Sequence, residues 1–134
     1  MKESKVYFTK EITPESLIKI YEALGIKLTG NIGIKVSTGE AGSKGYLKSD
    51  LIKPLVDKLN GTIVECNTAY EGQRNSTEKH KKLIEDHGWN KYFEVDILDG
   101  EGPDLEIGIP NGKIIDRLCV CIRKSLDSFS GQNK

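Results

Sequence analysis

Neither sign of charge dominates this sequence: twenty basic residues face twenty acidic ones, leaving no net charge with the histidines neutral. So balanced a chain has no long-range field to draw in nucleic acid or an anionic membrane surface, and neither is expected as a partner. Cysteine is scarce and odd in number, with only Cys66, Cys119 and Cys121. A chain of 134 residues can build a sufficient core without disulfides, so reduced thiols are expected. No apolar run approaches the roughly 18 residues of a membrane span. The opening MKESKVYFTK is charged and β-rich, unlike the apolar centre of a secretory signal. These absences together point to a water-soluble cytoplasmic protein of one domain spanning 1–134.

What is present is an alternation of two periods. Ser4 to Lys10 sets Val6 and Phe8 on one side and Tyr7 on the other, the period of two that predicts a first strand. Thr13, Pro14 and Glu15 then supply a cap oxygen, a first-turn proline and an acidic first turn. They introduce a helix whose apolar positions are Leu17, Ile20, Tyr21 and Leu24, ended by Gly25. A second strand is expected at Asn31 to Ser37, with Ile32, Ile34 and Val36 on one face. Ser49 and Asp50 are placed to cap a second helix with a core face of Leu51, Leu55, Val56 and Leu59, stopped by Asn60 and Gly61. Pro54 costs that helix one backbone bond, so a late start or a kink is expected.

Thr62 to Cys66 reads as a buried third strand. Asn75 and Glu78 have the spacing of a capping box, opening a third helix with His80, Leu83, Ile84 and His87 inward and Gly88 at its end. Tyr92 to Leu98 reads as a fourth strand. Leu105 to Ile109 and Lys113 to Ile115 form the arms of a C-terminal hairpin about a type I′ turn at Asn111-Gly112. Leu118 to Ile122 is read as a further strand, and a frayed, disordered tail is expected over 128–134. The fold class is therefore α/β: an open, mostly parallel sheet with helices on both faces and the hairpin at its end. Ligands of such sheets collect beyond the carboxyl ends of the strands, which singles out the loops 37–48, 66–76 and 96–104.

Three strings carry a resemblance: KVSTGEAG at 35–42, YLKSDLIKPLVDKLNGTIVECNTAYEGQRN at 46–75 and HGW at 87–89. They are similar to the uncharacterised bacterial and archaeal family called domain of unknown function 362, over a span from about Lys5 to Ile115. The resemblance implies an α/β chain and no settled activity. It also implies that many relatives carry a ferredoxin-like cysteine cluster, a pattern from which this sequence departs. It holds no run of cysteines spaced for an iron-sulfur cluster, so that cofactor is not carried over. What stays similar is Ser37-Thr38-Gly39-Glu40, Asn67-Thr68-Ala69-Tyr70, Gly72 and Arg74.

Two loops offer chemistry. The glycine-rich segment with Ser37, Thr38, Gly39 and Lys44 presents backbone N-H groups and a cation to an anion, though without the spacing of a phosphate-binding or dinucleotide loop; its rival is a plain connection with turn glycines. The loop after the third strand brings an amide, a hydroxyl, a phenol and a guanidinium together in Asn67, Thr68, Tyr70 and Arg74. Its rival is a loop that merely bonds its own backbone and fastens itself down. Glu40 is the natural general base if its pKa is raised toward neutrality, and otherwise an exposed loop acid. Asp96, Asp99, Glu101 and Asp104 have the oxygen ligands for calcium or magnesium, although a solvated acidic turn is the simpler account. His80 and His87 stand at the border of a packing face, and Cys119 and Cys121 are read as structural thiols.

Reaction, cofactor and enzymatic status are not legible in these residues. Three functions compete: a domain binding a small anionic ligand at the carboxyl rim; a non-catalytic half-domain acting through a homo-oligomer, a hetero-oligomer or a missing second domain; and part of an iron-sulfur electron-transfer protein.

Overall fold

A computed structural model describes residues 4–100, 102 and 105–120. Its centre is a parallel sheet of three strands, β1 (Gly33–Lys35), β2 (Thr62–Glu65) and β3 (Asp96–Ile97), lying side by side in chain order. Ile34 pairs with Ile63, Lys35 with Val64, and Glu65 with Ile97. Val36 N-H donating to the Val64 carbonyl and Leu98 N-H donating to that of Glu65 extend the ladders just beyond the strand ends. Parallel neighbours need long crossovers, and these are α2 (Ser49–Leu59) and α3 (Thr77–Asp86). A first helix, α1 (Pro14–Ala23), precedes the sheet and packs on α2, where Lys58 and Glu22 form an ion pair of 2.6 Å. The expected α/β class is what forms.

Local chemistry accounts for most helix ends. Thr13 caps α1 with a bond of 3.1 Å from Ser16 N-H, and the Ser16 hydroxyl accepts Thr13 N-H in return, a capping box made with serine. α2 ends where Asn60 adopts a left-handed conformation and Gly61 N-H reaches the Val56 carbonyl. Two expectations need correction here. α2 begins at Ser49 with Lys48 as its cap and runs through Pro54, so the proline does not delay its start. α3 begins after Ser76, and Asn75 bonds Glu71 and Lys79 instead of forming a capping box with Glu78.

The core joins Ile52 and Val56 of α2, Ile84 of α3, Ile63 and Ile97 of the sheet, Val36 and the fully buried Trp89. Burial of such side chains contributes roughly 1.5–3 kcal/mol each relative to exposure. Trp89 also explains why the expected fourth strand shrinks to Asp96–Ile97. Gly88, at φ +73°, turns the chain into the short 3-10 helix Trp89–Lys91, and Tyr92 and Phe93 N-H both bond the Trp89 carbonyl. The first half of Tyr92 to Leu98 is thereby used as a turn that inserts the indole.

The expected first strand does not form. Residues Ser4 to Lys10 lie outside any sheet, with Val6 and Phe8 89% and 81% exposed. Alternation makes a segment able to be a strand, but a strand exists only when a neighbour takes its hydrogen bonds.

At the other end, β4 (Leu105–Gly108) and β5 (Arg117–Val120) pair antiparallel as a sheet of their own. The expected return arm, Lys113 to Ile115, lies in the connection instead. Pro110 and Asn111, the latter at φ +60°, with Gly112 N-H donating to the Ile109 carbonyl, carry the signature of a type II turn and not the expected type I′. A second bond, Ile109 N-H to the Asp116 carbonyl, lengthens the loop, and the arm begins at Arg117. Leu118 to Val120 is thus extended as expected, while the remainder of that expected strand and the tail fall outside the described residues. Among the described residues no helix is long and apolar enough to cross a membrane.

Candidate functional site

The loops trailing the three parallel strands meet. Arg74 of the second loop bonds Glu40 and Ser37 of the first, and Asn67 N-H donates 2.8 Å to Asp99 of the third. Their meeting place has a buried layer and an open rim.

Glu65, the last residue of β2, anchors the buried layer. It is 2% exposed and follows the buried Ile63 and Val64, and its oxygens accept Lys35 Nζ and Thr38 N-H, each at 2.6 Å, with Arg74 Nη1 at 3.7 Å. A carboxylate removed from water requires such compensation, since without it burial costs several kcal/mol. Thr38 is fully buried beside it. Its carbonyl accepts His87 Nδ1 at 2.8 Å and Trp89 Nε1 at 3.3 Å, and its hydroxyl lies 3.1 Å from His80 Nε2. The Tyr46 ring stacks on His87 at 4.0 Å.

The direction of the relay that begins there is fixed at its far end. The Gly100 carbonyl can only accept, so Thr77 donates to it at 3.0 Å and must accept from Asn67 Nδ2 at 3.0 Å. Asn67 Oδ1 therefore faces His80 Nδ1, which carries the proton across 3.1 Å. His80 Nε2 is left as an acceptor for the Thr38 hydroxyl. Burial pushes the pKa of His80 below its ordinary value against the nearby carboxylates of Glu65, Asp99 and Glu40, while the Arg74 charge adds to the lowering. The imidazole is thus held neutral. Hydroxyl, imidazole and amide stand in the order of a nucleophile, its base and its orienting group. Thr38 and His80 are nevertheless both 0% exposed, so no substrate atom reaches the hydroxyl, and the relay is a strut.

The rim lies above it. Glu40 Oε1 accepts the Tyr70 hydroxyl at 2.6 Å, Arg74 Nε at 2.9 Å and Arg74 Nη2. Nη2 also donates to the Tyr70 oxygen at 2.8 Å, and Nη1 to Ser37 Oγ at 3.2 Å. Thr68 N-H bonds the Arg74 carbonyl and closes the loop that presents Tyr70 and Arg74. The guanidinium side chain is 10% exposed and that of Glu40 42%, so the pair is open on the carboxylate side. Hydrogen bonds from Tyr70 and then Arg74 hold the Glu40 carboxyl below its ordinary range, and burial opposes them only weakly. Burial draws the Arg74 pKa down, but its bond to Glu40 and the charges around it outweigh this and raise it.

Several expected site residues are therefore redistributed. Glu40 is the reverse of a general base tuned toward neutrality, because donors stabilise its ionised form. Thr38 and Asn67 serve the interior, and Gly39 is needed for shape: it sits at φ +97°, and a Cβ there would lie 2.5 Å from Tyr46 Cβ. Lys44 is exposed and bonds none of the described residues of the cluster. Of the acidic quartet, Asp99 accepts Asn67 N-H, Asp96 pairs with Val64 in the sheet, and Glu101 and Asp104 lie outside the described residues. No three His, Cys, Asp or Glu among the described residues are placed to share a metal ion. Cys119 pairs with Glu106 in the hairpin backbone, and Cys121 falls outside the description.

Sequence reasoning passed over Glu65 and set His80 at a border. The available signal was a lone acid within the apolar run TIVEC, since a charge in a buried strand demands partners. A groove of about 680 Å³ runs past Thr62, Lys81, Phe93 and Asp96 and is lined by none of the rim residues. Compared with known proteins, the chain matches no family model, no curated protein and no solved structure.

Proposed function

We propose that this protein binds a small anionic ligand at the carboxyl rim of its sheet, with Arg74 and Tyr70 as the principal donors. The observation that carries this reading is the convergence of three donors, Tyr70 Oη-H, Arg74 Nε-H and Arg74 Nη2-H, on one oxygen of a half-exposed carboxylate. A planar guanidinium held in place presents paired N-H groups in the geometry that carboxylate and phosphate oxygens accept. Loops at the carboxyl end of a parallel sheet are the usual place for such a site. Ser37, Thr38, Gly39, Asn67 and Thr68 belong to the same two loops and shape it, and Lys44 lies in the first of them as an exposed cation. No reaction is part of the proposal. A cytoplasmic location and kinship with the domain of unknown function 362 family are, the latter resting on the strings at 35–42, 46–75 and 87–89.

Titration of the 15N-labelled protein with sodium acetate and with sodium phosphate tests it. Saturable shifts centred on residues 37–42 and 68–74, lost in Arg74→Gln, are expected. Shifts scattered over the surface lysines, or unchanged in Arg74→Gln, would remove the site.

A second reading, assembly with another copy or another chain, is favoured by the hairpin. Leu105, Ile107 and Leu118 share one face and are 50%, 45% and 54% exposed, while Glu106 and Arg117 pair on the other. A two-stranded hairpin is marginal by itself, and an exposed apolar face of this kind marks an interface. Sedimentation velocity over a hundredfold concentration range is expected to show a larger species that Ile107→Lys dissolves; a monomer throughout, with no companion protein, counts against it.

A further inference from the structure

We infer that the Arg74 site is a carboxylate site whose resident occupant is Glu40, and that an external carboxylate ligand enters by displacing it. The inference rests on the anion-binding reading above and adds the ligand class and the means of entry. Glu40 already makes the contacts a bound carboxylate would make, with one oxygen receiving the phenol and two guanidinium N-H groups. What remains on Arg74 when Glu40 leaves is enough to hold it: Nη1 keeps Ser37 Oγ at 3.2 Å and Glu65 at 3.7 Å. Nη2 still donates to the Tyr70 oxygen at 2.8 Å, while the Tyr70 hydroxyl, Arg74 Nε-H and the Nη2-H that faced Glu40 lose their protein acceptor until a new carboxylate arrives. Leaving them so costs free energy, which disfavours the open state when no ligand is present.

The backbone is divided at the right place for this exchange. Thr38 is fixed through both of its backbone groups, its N-H donating to Glu65 and its carbonyl accepting from His87 and Trp89. Immediately after it come Gly39 at φ +97° and, past Glu40, Gly42 at φ +74°. Among the described residues a single local backbone bond, Ser43 N-H to the Glu40 carbonyl at 3.0 Å, spans the turn between them. Gly42 has nothing within 4 Å of where a Cβ would stand, and the Glu40 side chain is 42% exposed, so its outward path meets solvent. The contact is self-inhibitory, because the tethered carboxylate competes with the free one.

Competition of this kind lowers apparent affinity by the fraction of time the site is open. If Glu40 occupies Arg74 about nine tenths of the time, its removal tightens binding roughly tenfold. The experiment compares acetate and phosphate binding to the wild-type chain, Glu40→Gln and Glu40→Ala by 15N chemical shifts, with circular dichroism and thermal melting to confirm that each is folded. In the wild type it also follows the Glu40 side-chain carboxyl by 13C NMR. Expected are a roughly tenfold tighter acetate affinity in Glu40→Ala, an intermediate one in Glu40→Gln, acetate preferred over phosphate in both, and movement of the wild-type Glu40 titration toward its ordinary 4.5 as acetate saturates. Binding of equal strength in all three proteins, or binding that leaves the Glu40 titration in place, overturns displacement while leaving an anion site at Arg74. Phosphate preferred over acetate overturns the ligand class alone. Absence of binding in every folded variant overturns both this inference and the function it rests on.

Discussion

The side chains of Thr38 and His80, 42 residues apart, meet at 3.1 Å with neither exposed to solvent. That contact ties the loop after β1 to the first turn of α3, and through Asn67 it reaches the loop after β2 as well. Three segments with no sequence proximity are held by one neutral imidazole.

Replacing His80 by leucine is therefore expected to destabilise the fold by about 2–4 kcal/mol, because the Thr38 hydroxyl and Asn67 Oδ1 both lose a buried partner. Urea unfolding followed by Trp89 fluorescence measures it. A loss below about 0.5 kcal/mol would show that the relay contributes little.

Stability should also fall on the acid side through the same residue. Burial lowers the folded-state pKa of His80 below its ordinary 6.5, so under that value the unfolded chain binds a proton that the folded chain refuses. The stabilisation is complete above 6.5 and is lost as pH falls toward the folded value, with a slope of at most about 1.4 kcal/mol per pH unit. Urea midpoints at a series of pH values from neutrality downward should show this slope in the wild type and lose it in His80→Leu. An equal slope in both would assign the acid sensitivity to other groups.

Removing the charge of Glu65 leaves Arg74 Nη1 and Lys35 Nζ beside a neutral amide that also turns one N-H donor into the pocket. Glu65→Gln is expected to cost about 2–4 kcal/mol. Glu40→Gln, made at an exposed carboxylate, is expected to cost less than about 1 kcal/mol. Thermal melting of the two variants side by side distinguishes an interior anchor from a rim contact; reversal of that order would contradict the division into two layers.

Two glycines of one loop should respond differently to alanine. At Gly39 a methyl group would meet Tyr46 at 2.5 Å in a left-handed backbone, and a loss above about 2 kcal/mol is expected. At Gly42 the space is open and only the φ of +74° is unfavourable, for roughly 1 kcal/mol. Denaturant midpoints of both variants decide this, and equal effects would mean that Tyr46 yields to the added methyl.

Much of this architecture is legible in one dimension because its causes are local. Thr13 and Pro14 start α1, Asn60 and Gly61 stop α2, and the inward His80, Leu83 and Ile84 of α3 follow from helical period. The alternation of strand and helix likewise dictates a parallel sheet, and with it the rim where the loops of Ser37, Asn67 and Arg74 gather. Where local signals compete, the sequence misleads: Val6 and Phe8 alternate like a strand yet find no neighbour, and Asn111-Gly112 looks like a two-residue hairpin turn although Pro110 sets a different one.

Composition and periodicity by themselves determined the α/β class, the order of the central elements and the loops that meet at the carboxyl rim. Only the tertiary structure decided that Arg74 faces Glu40, that Glu65 lies buried beneath both, and that His80 is a strut between Thr38 and Asn67. The reason is physical. Capping and periodicity act over a few residues, whereas the ionisation of Glu40, the proton position on His80 and the compensation of Glu65 depend on groups brought within about 3 Å of one another from distant parts of the chain, where low dielectric and fixed hydrogen-bond direction set the outcome.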